Sequence, residues 1–470
     1  MSRYALIMVT VACLMQATGG AAGWQQWDNY GVGYANGGHI NEIVASGEAV
    51  YVGGSFDQIG GKTAKNIAKW NCGTGSWSIL GYGISGGGVF GEVCAIAVDN
   101  SGNVYVGGDF YGTQGTNARN IAKWIGGVWD PLGGGLNGKV NAVAYYKGKM
   151  YAMGLFGYTA NGQSPWLNGF ARWNGSQWEA VLPGQHWLGW YSNAMAVADD
   201  KLYYNRCSLS GMGFYKYDGN TNSILGMFDG SIYAILVDGS DVYVGGDFTV
   251  INSNIQARGI AKYNGASWCE LGGGVSSQTG YPAVTSLVKY NDRIYVGGEF
   301  TAAGAVPVNN IVAWDGNNWS SLIGGTNKKI TAMARTRETM FVGGDFSKAG
   351  RTTCYKHAKY VLTPTCNLAS PAPTNTGVHE IALCPARPNP CRGSTEIRYN
   401  LPQPCRTTLK LYNVSGQLVR TLVDEERPSG SFSVNWDCRD NRGDRVAAGV
   451  YLCHLTGGDQ NSSQTLIVLP

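Results

Sequence analysis

The residues that could carry out chemistry are few, and their spacing matches no common catalytic site. The five histidines form no zinc-binding pair on a helix, and the sequence lacks a nucleophile elbow, a phosphate-binding loop and a dinucleotide fingerprint. Four acidic residues that follow a double glycine could form a calcium ring or an acid–base set: Asp109, Asp247, Glu299 and Asp345. Because they recur at equivalent places in a repeat, we interpret them as acceptors of turn amide hydrogens. We therefore predict no catalytic residue, no metal site and no cofactor.

A second group of residues could bind a ligand without chemistry. Between residues 155 and 215 the repeat loses its double glycine, and an insertion places aromatic residues in loops. Exposed aromatic rings on a rigid scaffold stack on sugar faces or fill a partner's pocket. The predicted ligand-binding residues, with Tyr158 and Tyr203 nearby, are Trp166, His186, Trp187, Trp190 and Tyr191. The alternative is that these side chains fill gaps between neighbouring sheets, as Trp70, Trp124 and Trp173 are expected to do.

One repeated unit must position these residues. VYVGGSF at 50–56 returns in intact or altered form, with starts at 50, 104, 150, 202, 242, 294 and 340, a spacing of about 48 residues. Each unit has a second signature such as NIAKW at 66–70, and five units continue to a third, marked by Trp77, Trp129, Trp178, Trp268 and Trp319. A period of this length suits four short strands. Seven such units predict a seven-bladed β-propeller.

The two ends of the repeat region predict how the ring closes. After KHAKY at 356–360 no tryptophan strand follows, whereas Trp24-Gln25-Gln26-Trp27 has the missing pattern. We therefore expect the N-terminal strand to complete the seventh blade and to hide sheet edges that would otherwise pair with other chains. The double glycines, which have no Cβ, suit tight turns and a close approach of the backbone between blades.

The N-terminal residues 1–23 have the pattern of a secretory signal peptide. Arg3 precedes an apolar run from Tyr4 to Met15, and small residues follow. The run is too short to span a bilayer and no later stretch is longer, so no transmembrane helix is expected. A lipoprotein alternative at Cys13 lacks the usual leucine three positions upstream. Eleven of the 12 cysteines would remain after cleavage, and export favours disulfides; the preferred pairs are Cys354 with Cys366 and Cys438 with Cys453.

The composition excludes several classes of protein. Only 14% of the residues are charged and 44% are hydrophobic, which argues against a disordered chain. The net charge of +4 is small and dispersed, so neither nucleic acid nor an anionic membrane is expected as a partner. The 70 glycines have no Gly-X-Y period, which excludes collagen.

The repeat region, residues 24–362, resembles known propeller repeats. Its double glycine and following aromatic residues resemble those of kelch-type propellers. The order YVGGDF, then NIAKW, then Trp and Leu-Gly is closer to a bacterial repeat family that is similar to the fungal bud-site cortical marker. This resemblance implies a surface or binding role and leaves the ligand open.

A second domain follows a Pro- and Thr-rich linker at residues 363–383. Residues 384–470 contain short alternating strands, which predict an immunoglobulin-like sandwich. PNP at 388–390, LKLYNVSGQLVRTL at 409–422 and the segment 432–455 resemble the C-terminal sorting domains of type IX secretion cargo and the related domain of the flagellar hook-capping protein. The resemblance implies export across the outer membrane, and an ordinary adhesive sandwich is the alternative.

Together these features predict a secreted or outer-surface protein that is not an enzyme. Its propeller would bind a glycan or a surface protein in adhesion, and its C-terminal domain would engage the export machinery. A polysaccharide-active hydrolase or lyase is one alternative, which would need a carboxylate pair or a His–Tyr cluster at a channel mouth. A structural component of a surface layer is the other.

Overall fold

The computed structural model describes the chain as an all-β protein in two compact units. Gln26–Leu362 form one unit, and Thr363–Pro470 belong to the other. The described residues form no helix that could cross a membrane. The predicted signal peptide lies outside the described residues, which are 27–29, 38–81, 83–85, 91–113, 116–162, 166–183, 194–208, 211–278, 280–322, 324–337, 339–354, 356–362, 381–383, 386, 389, 391–401, 403–458 and 460–469.

The first unit consists of antiparallel sheets with four main strands in the order inner, second, third and outer, and in sheet IV the short strands Val250–Ile251 and Ile255–Gln256 extend the sheet to six strands. Sheet I comprises His39–Ser46, Ala49–Ser55, Ile67–Asn71 and Ser76–Ile79. Sheet II comprises Glu92–Val98, Val104–Asp109, Ile121–Ile125 and Val128–Asp130. Sheet III comprises Val140–Tyr146, Lys149–Gly154, Phe170–Trp173 and Trp178–Ala180. Sheet IV comprises Met195–Ala198, Lys201–Ser208, Gly211–Tyr217 and Asn222–Phe228, and sheet V comprises Ile232–Asp238, Asp241–Gly246, Ile260–Tyr263 and Trp268–Glu270. Sheet VI comprises Ala283–Tyr290, Arg293–Glu299, Ile311–Trp314 and Trp319–Ser321. Sheet VII comprises Ile330–Thr336, Thr339–Gly344, His357–Val361 and Trp27–Asn29.

The sheets are arranged in a ring. The inner strand of each sheet contacts the inner strands of the sheets before and after it, and sheet VII contacts sheet I in the same way. Shorter strands lie in the loops: Gln58–Ile59, Lys62–Thr63, Ile84–Ser85, Gly112–Thr113, Val250–Ile251, Ile255–Gln256, Val275–Ser276, Ala302–Ala303, Val306–Pro307, Lys348–Ala349 and Thr352–Thr353. This arrangement confirms the prediction of an all-β propeller.

The ring closes through the N-terminal strand, as the repeat pattern predicts. Trp27–Asn29 pairs with His357–Val361, and Trp27 lies opposite Tyr360. In sheet II, Trp129 lies opposite Trp124 in the same way. The observed strand begins at Trp27, and residues 24–26 lie outside the described part of the chain.

The double glycine is explained by two different close approaches. A Cβ on Gly107 would lie 2.5 Å from Cγ1 of Val140, which begins the inner strand of the next sheet. A Cβ on Gly108 would overlap the carbonyl oxygen of Glu92 in its own sheet. The pairing register shifts at this point, which marks a β-bulge between the inner and second strands. The close backbone approach predicted from the glycines is therefore confirmed.

The asparagine of the NIAKW signature joins neighbouring segments. Asn120 has a φ of 63°, a left-handed conformation that asparagine tolerates better than most residues. Its Oδ1 accepts a hydrogen bond from the Phe110 amide at 3.0 Å, and its Nδ2 donates to the Leu136 carbonyl at 2.9 Å. Asn66 and Asn310 have the same conformation and equivalent partners. The loop that leads into the next sheet is thus attached to the sheet before it.

The signature tryptophans pack between sheets. Trp178 of an outer strand is buried, and its indole nitrogen donates a hydrogen bond to the Leu132 carbonyl of the preceding sheet at 3.0 Å. Its ring lies 5.5 Å from that of Trp173. Trp70 is buried, whereas Trp124 and Trp173 are partly buried against the cores around them. The expectation that these three residues fill gaps between sheets agrees with this packing.

The second unit consists of two antiparallel sheets around an apolar core. One sheet contains Ala382–Leu383, Thr395–Leu401 and Gly430–Trp436, and the other contains Leu418–Arg427, Cys405–Asn413, Gly449–Gly457 and Gln460–Val468. The core includes Trp436, whose side chain is fully buried. Strands that alternate buried and partly buried residues supply this core, as in an immunoglobulin-like sandwich.

The structure does not contain the predicted disulfide between Cys438 and Cys453. Both residues are free thiols. Cys438 follows a strand of one sheet and Cys453 lies in a strand of the other sheet, so the two are not on neighbouring strands. The sulphur of Cys438 instead lies 3.4 Å from that of Cys391. Cys354 is also a free, buried thiol, and its predicted partner Cys366 lies outside the described residues.

Candidate binding face of the propeller

The loops that carry the predicted binding residues emerge at one end of the strands. In these antiparallel sheets, the loops from second to third strand and from outer strand to the next inner strand lie at the same end. We call this end the upper face. Among the described residues of the propeller, every aromatic side chain that is largely exposed lies on loops of this face: Tyr111, Tyr158, Trp166 and Tyr281. The upper face is therefore the candidate binding surface.

Tyr158 and Trp166 form an exposed aromatic pair in sheet III. Their ring centroids lie 6.0 Å apart at an angle of 44°, and 59% of the Trp166 surface is exposed. Asn137 Oδ1 accepts hydrogen bonds from the amides of Gly157 and Tyr158, both at 3.0 Å. The Leu167 amide donates to the Gly157 carbonyl at 2.7 Å. These bonds hold the loop at both sides of the pair, so the rings are presented on a fixed backbone.

The structure separates the predicted binding residues into two groups. Trp166 is exposed and does not fill a gap between sheets. Tyr203, which the sequence places nearby, is buried in the second strand of sheet IV. Four predicted residues lie outside the described part of the chain, and their role stays a prediction: His186, Trp187, Trp190 and Tyr191.

Two of the recurrent acidic residues, Asp247 and Asp345, bond within their own sheets. Asp247 accepts hydrogen bonds from the Ser231 amide at 2.5 Å and from the Tyr233 hydroxyl at 2.8 Å. Asp345 pairs with Lys329 at 3.4 Å. These partners lie in the inner strand or directly before it, and the Ser231 amide is a loop amide hydrogen of the kind that the sequence analysis predicts. The described residues contain no group of three or more histidine, cysteine and acidic side chains that could hold a metal ion.

A polar cluster that the repeat analysis missed lies where the inner strands of sheets I to III begin. Glu92 accepts hydrogen bonds from His39 Nε2 at 3.3 Å and from Lys139 Nζ. Asn41 Nδ2 also contacts Glu92 at 3.4 Å and donates to the Val93 carbonyl at 3.0 Å. The hydrogen bond from His39, together with that from Lys139, lowers the pKa of Glu92 well below its usual range. The cluster thus presents an ionised carboxylate beside two basic side chains.

The sequence contains one feature that could have revealed this cluster, which is the variation in residue type at the beginning of the inner strands. The residues that begin the described inner strands, or directly precede them, are of five different types in six sheets: His39, Glu92, Lys139, Ser231, Ala283 and Lys329. Structural repeat positions keep one residue type, as the glycines do. A comparison of the residues at the beginning of each inner strand would therefore have distinguished these residues from those that only maintain the fold.

Glu42 is a second departure from the repeat on the inner strand of sheet I. It lies opposite Gly53, and the equivalent residues of sheets II, III, V, VI and VII are small: Ala95, Ala142, Ala234, Ser286 and Ala332. Burial raises the pKa of Glu42 from 4.5 to about 8. Its carboxyl group is therefore mainly protonated at neutral pH, whereas that of Glu92 is ionised.

The Glu42→Gln variant is expected to be more stable than the parent at pH 8 and equal to it at pH 4.5. A carboxyl whose pKa rises on folding stabilises the fold below its unfolded pKa, and this contribution is lost as the pH rises through about 8. The expected increase in the free energy of unfolding at pH 8 is about 2 kcal/mol. This is less than the whole pKa shift of Glu42 corresponds to, because its side chain keeps some solvent contact. Urea unfolding at the two pH values measures it.

Glu48→Gln is the matched control, since Glu48 is exposed in the turn that follows the same strand. It should change the unfolding free energy by less than about 0.5 kcal/mol at either pH. An equal effect of the two substitutions, or a Glu42→Gln effect independent of pH, would contradict the assignment.

Comparisons with known proteins identify the second unit. Residues 392–461 match the FlgD Ig-like domain family. This agrees with the two-sheet architecture, and the prediction of an immunoglobulin-like C-terminal domain is confirmed. No curated protein matches the sequence.

Several solved structures match this chain at low sequence identity. PorZ, an essential surface component of the type IX secretion system of Porphyromonas gingivalis, is 16% identical with a TM-score of 0.46, and the match covers 94% of this chain and 60% of PorZ. The propeller domain of the Trilobed protease from Pyrococcus furiosus is 10% identical with a TM-score of 0.38, over 66% of this chain and 93% of that domain. The extracellular domain of a putative one-component system of B. thetaiotaomicron is 9% identical with a TM-score of 0.27, over 93% and 69%. The chain thus spans about three-fifths of the length of PorZ.

Proposed function

We propose that this protein is a secreted or outer-surface binding protein whose propeller recognises a glycan. The observation that carries the proposal is the exposed pair of Tyr158 and Trp166 on a loop held by hydrogen bonds. Aromatic faces bury the apolar face of a sugar ring with little loss of conformational entropy when their backbone is already ordered. The other two exposed aromatic side chains on the upper face extend the surface that a polymeric glycan could contact: Tyr111 and Tyr281.

The local sequence of sheet III also supports this proposal. Leu155 stands where Asp109 stands in sheet II, and its side chain is 42% exposed. A carboxylate at this position would keep the surface beside Tyr158 hydrated, whereas leucine makes it apolar. The aromatic pair is therefore presented by a sheet that departs from the repeat.

The Trp166→Ala variant is expected to lose about tenfold or more in affinity for the captured glycan, because central aromatic side chains dominate the energetics of such surfaces. The measurement is a glycan array followed by pull-down with insoluble polysaccharides, using the chain from residue 24 onward. The melting temperature of the Trp166→Ala variant should stay within about 2 °C of that of the parent, since the side chain is exposed.

Tyr281→Ala is the matched control, because it removes an exposed aromatic side chain of the same face from a different sheet. It should lower the affinity much less than Trp166→Ala does. A double Trp187→Ala/Trp190→Ala variant tests the predicted residues outside the described part of the chain. Equal capture by parent and Trp166→Ala would overturn the role of the pair, and absence of capture from every glycan would overturn the glycan proposal in favour of a protein partner or a scaffold.

A polysaccharide-active enzyme is the second candidate, and one observation favours it. Glu42 and Glu92 lie on the inner strands of adjacent sheets, and their pKa values are moved in opposite directions. Pairs of carboxyl groups separated in this way can divide the roles of acid and base. Incubation with the captured polysaccharide distinguishes the two functions, because new reducing or unsaturated ends would show an enzyme and their absence a binding protein.

The proposal assigns export to residues 384–470. It is supported by the FlgD Ig-like match at residues 392–461 and by the resemblance of this region to type IX sorting domains. Removal of residues 363–470 should leave the propeller inside a type IX secretion-competent cell, whereas the full chain reaches the surface or the medium. Surface delivery of the truncated chain would overturn this role.

A further inference from the structure

Two cysteines meet in the interior of the second unit. The sulphur atoms of Cys391 and Cys438 lie 3.4 Å apart, and the two residues are 1% and 0% exposed. Both are free thiols. Neither residue belongs to the proposed glycan-binding face of the propeller, and the inference below rests on the proposed export of residues 384–470.

The two cysteines belong to opposite sheets of the sandwich. The Cys391 amide donates to the Ile467 carbonyl at 2.9 Å, and the Leu469 amide donates to the Cys391 carbonyl at 2.8 Å. Cys391 therefore lies along the last strand of the four-stranded sheet. Cys438 comes two residues after Gly430–Trp436 of the other sheet, and its carbonyl accepts the Val446 amide at 3.0 Å. The backbone on each side of the pair is thus held by hydrogen bonds.

We propose that Cys391 and Cys438 form a disulfide that joins the two sheets of the C-terminal domain in the exported protein. The bond requires a small movement, since a disulfide has an S–S distance of about 2.05 Å and the thiols are already in contact. Backbone anchors on both sides keep the sulphurs opposite each other in the folded domain.

The oxidant is a small disulfide of the glutathione type. The thiolate of one cysteine attacks a sulphur of the donor, forms a mixed disulfide and releases one donor thiolate. The second protein thiolate then attacks the mixed disulfide, forms the Cys391–Cys438 bond and releases the other donor thiolate. Two protein thiols lose two electrons and two protons, and the donor disulfide is reduced to two thiols.

Burial places this oxidation early in folding. Desolvation raises the pKa of the Cys438 thiol to about 12, and the neighbouring Cys391 adds to the shift. The folded domain therefore holds almost no Cys438 thiolate, and its burial also excludes the donor. We expect the thiols to be oxidised before the two sheets have packed together. Once the reduced domain has folded, we expect their oxidation to be slow.

The number of free thiols tests the proposal, because substitution of either cysteine should raise this number if the disulfide is present and lower it if the disulfide is absent. The full chain from residue 24 is folded with oxidised and reduced glutathione, denatured and labelled with a maleimide, and its mass gives the thiol count. If the disulfide is present, Cys391→Ala releases Cys438 and raises the count by one relative to the parent, and Cys438→Ala does the same. If it is absent, each substitution lowers the count by one. Cys453→Ala is the control, since it removes a buried thiol of the same core and should lower the count by one in either case.

Peptide mapping of the parent makes the test independent of how well the variants fold. A cross-linked species containing Cys391 and Cys438 supports the proposal, and both residues recovered in alkylated form overturn it. Reduction of the oxidised parent should lower the melting temperature of the second unit by about 8 °C or more, because the cross-link closes a long loop. An unchanged melting temperature after complete reduction would also overturn it.

Discussion

Removal of residues 24–29 is expected to prevent the propeller from forming a stable ring. These residues include Trp27–Asn29, the outer strand of sheet VII, whose partner His357–Val361 lies more than 300 residues later in the sequence. Without this strand, sheet VII ends on an unpaired third strand, and the ring loses the pairing that connects its two chain ends. The expected loss is on the order of 5 kcal/mol, comparable to the whole stability of an ordinary domain. Thermal unfolding followed by near-ultraviolet circular dichroism and size-exclusion chromatography measures it.

Two further chains control for the deletion. A chain that begins at Trp27 keeps the strand and should melt like one that begins at Trp24, whereas a chain that begins at residue 30 should unfold at much lower temperature or aggregate. A synthetic peptide of residues 24–31 should restore part of the stability when it is added to the truncated chain. A truncated chain that melts within about 2 °C of the parent would show that the ring holds without its closing strand.

Gly108→Ala is expected to destabilise the propeller by about 3 kcal/mol, as substitutions that overpack a closed core do. The new Cβ would overlap the carbonyl oxygen of Glu92, a backbone atom of the adjacent strand. Because the β-bulge fixes both strands, the clash can be relieved only by displacement of backbone. Urea unfolding monitored by tryptophan fluorescence measures the change.

Gly107→Ala provides a comparison that separates the two close approaches. Its Cβ would meet the Val140 side chain of the next sheet, which Val140→Ala removes. The double variant should therefore recover part of the stability lost in Gly107→Ala, whereas no side-chain truncation should rescue Gly108→Ala. Gly280→Ala is the control, since a Cβ there would have open space. Equal effects of the three glycine substitutions would contradict the explanation of the double glycine.

The repeat pattern predicted the scaffold because each of its conserved positions has one local physical cause. The glycines allow two close approaches, Asn120 adopts a left-handed conformation and bridges two loops, and Trp178 bonds the preceding sheet. The same cause acts in other sheets, so it leaves a period in the sequence. The closing strand was predictable for the same reason, because Trp27 has the place that Trp129 has in sheet II.

The candidate site was predictable only in part. Trp166 could be identified because it lies in an insertion that breaks the period, and the structure places it on an exposed loop. The cluster of His39, Glu92 and Lys139 could not be identified in this way, since its members are about 50 residues apart and each follows an ordinary loop. Only the side-by-side arrangement of three inner strands brings them into contact.

The all-β architecture, the closure of the ring and the division into two units could be predicted from the amino-acid sequence, because they depend on short-range strand patterns and on their repetition. Which distant side chains come into contact could be seen only in the folded protein. Cys438 lies beside Cys391, although the two are 47 residues apart in the sequence, because the packing of the two sheets brings their segments together. Burial likewise makes Glu42 a largely protonated group on an inner strand, because desolvation depends on the neighbours that the ring brings together and not on the residues beside it in the chain.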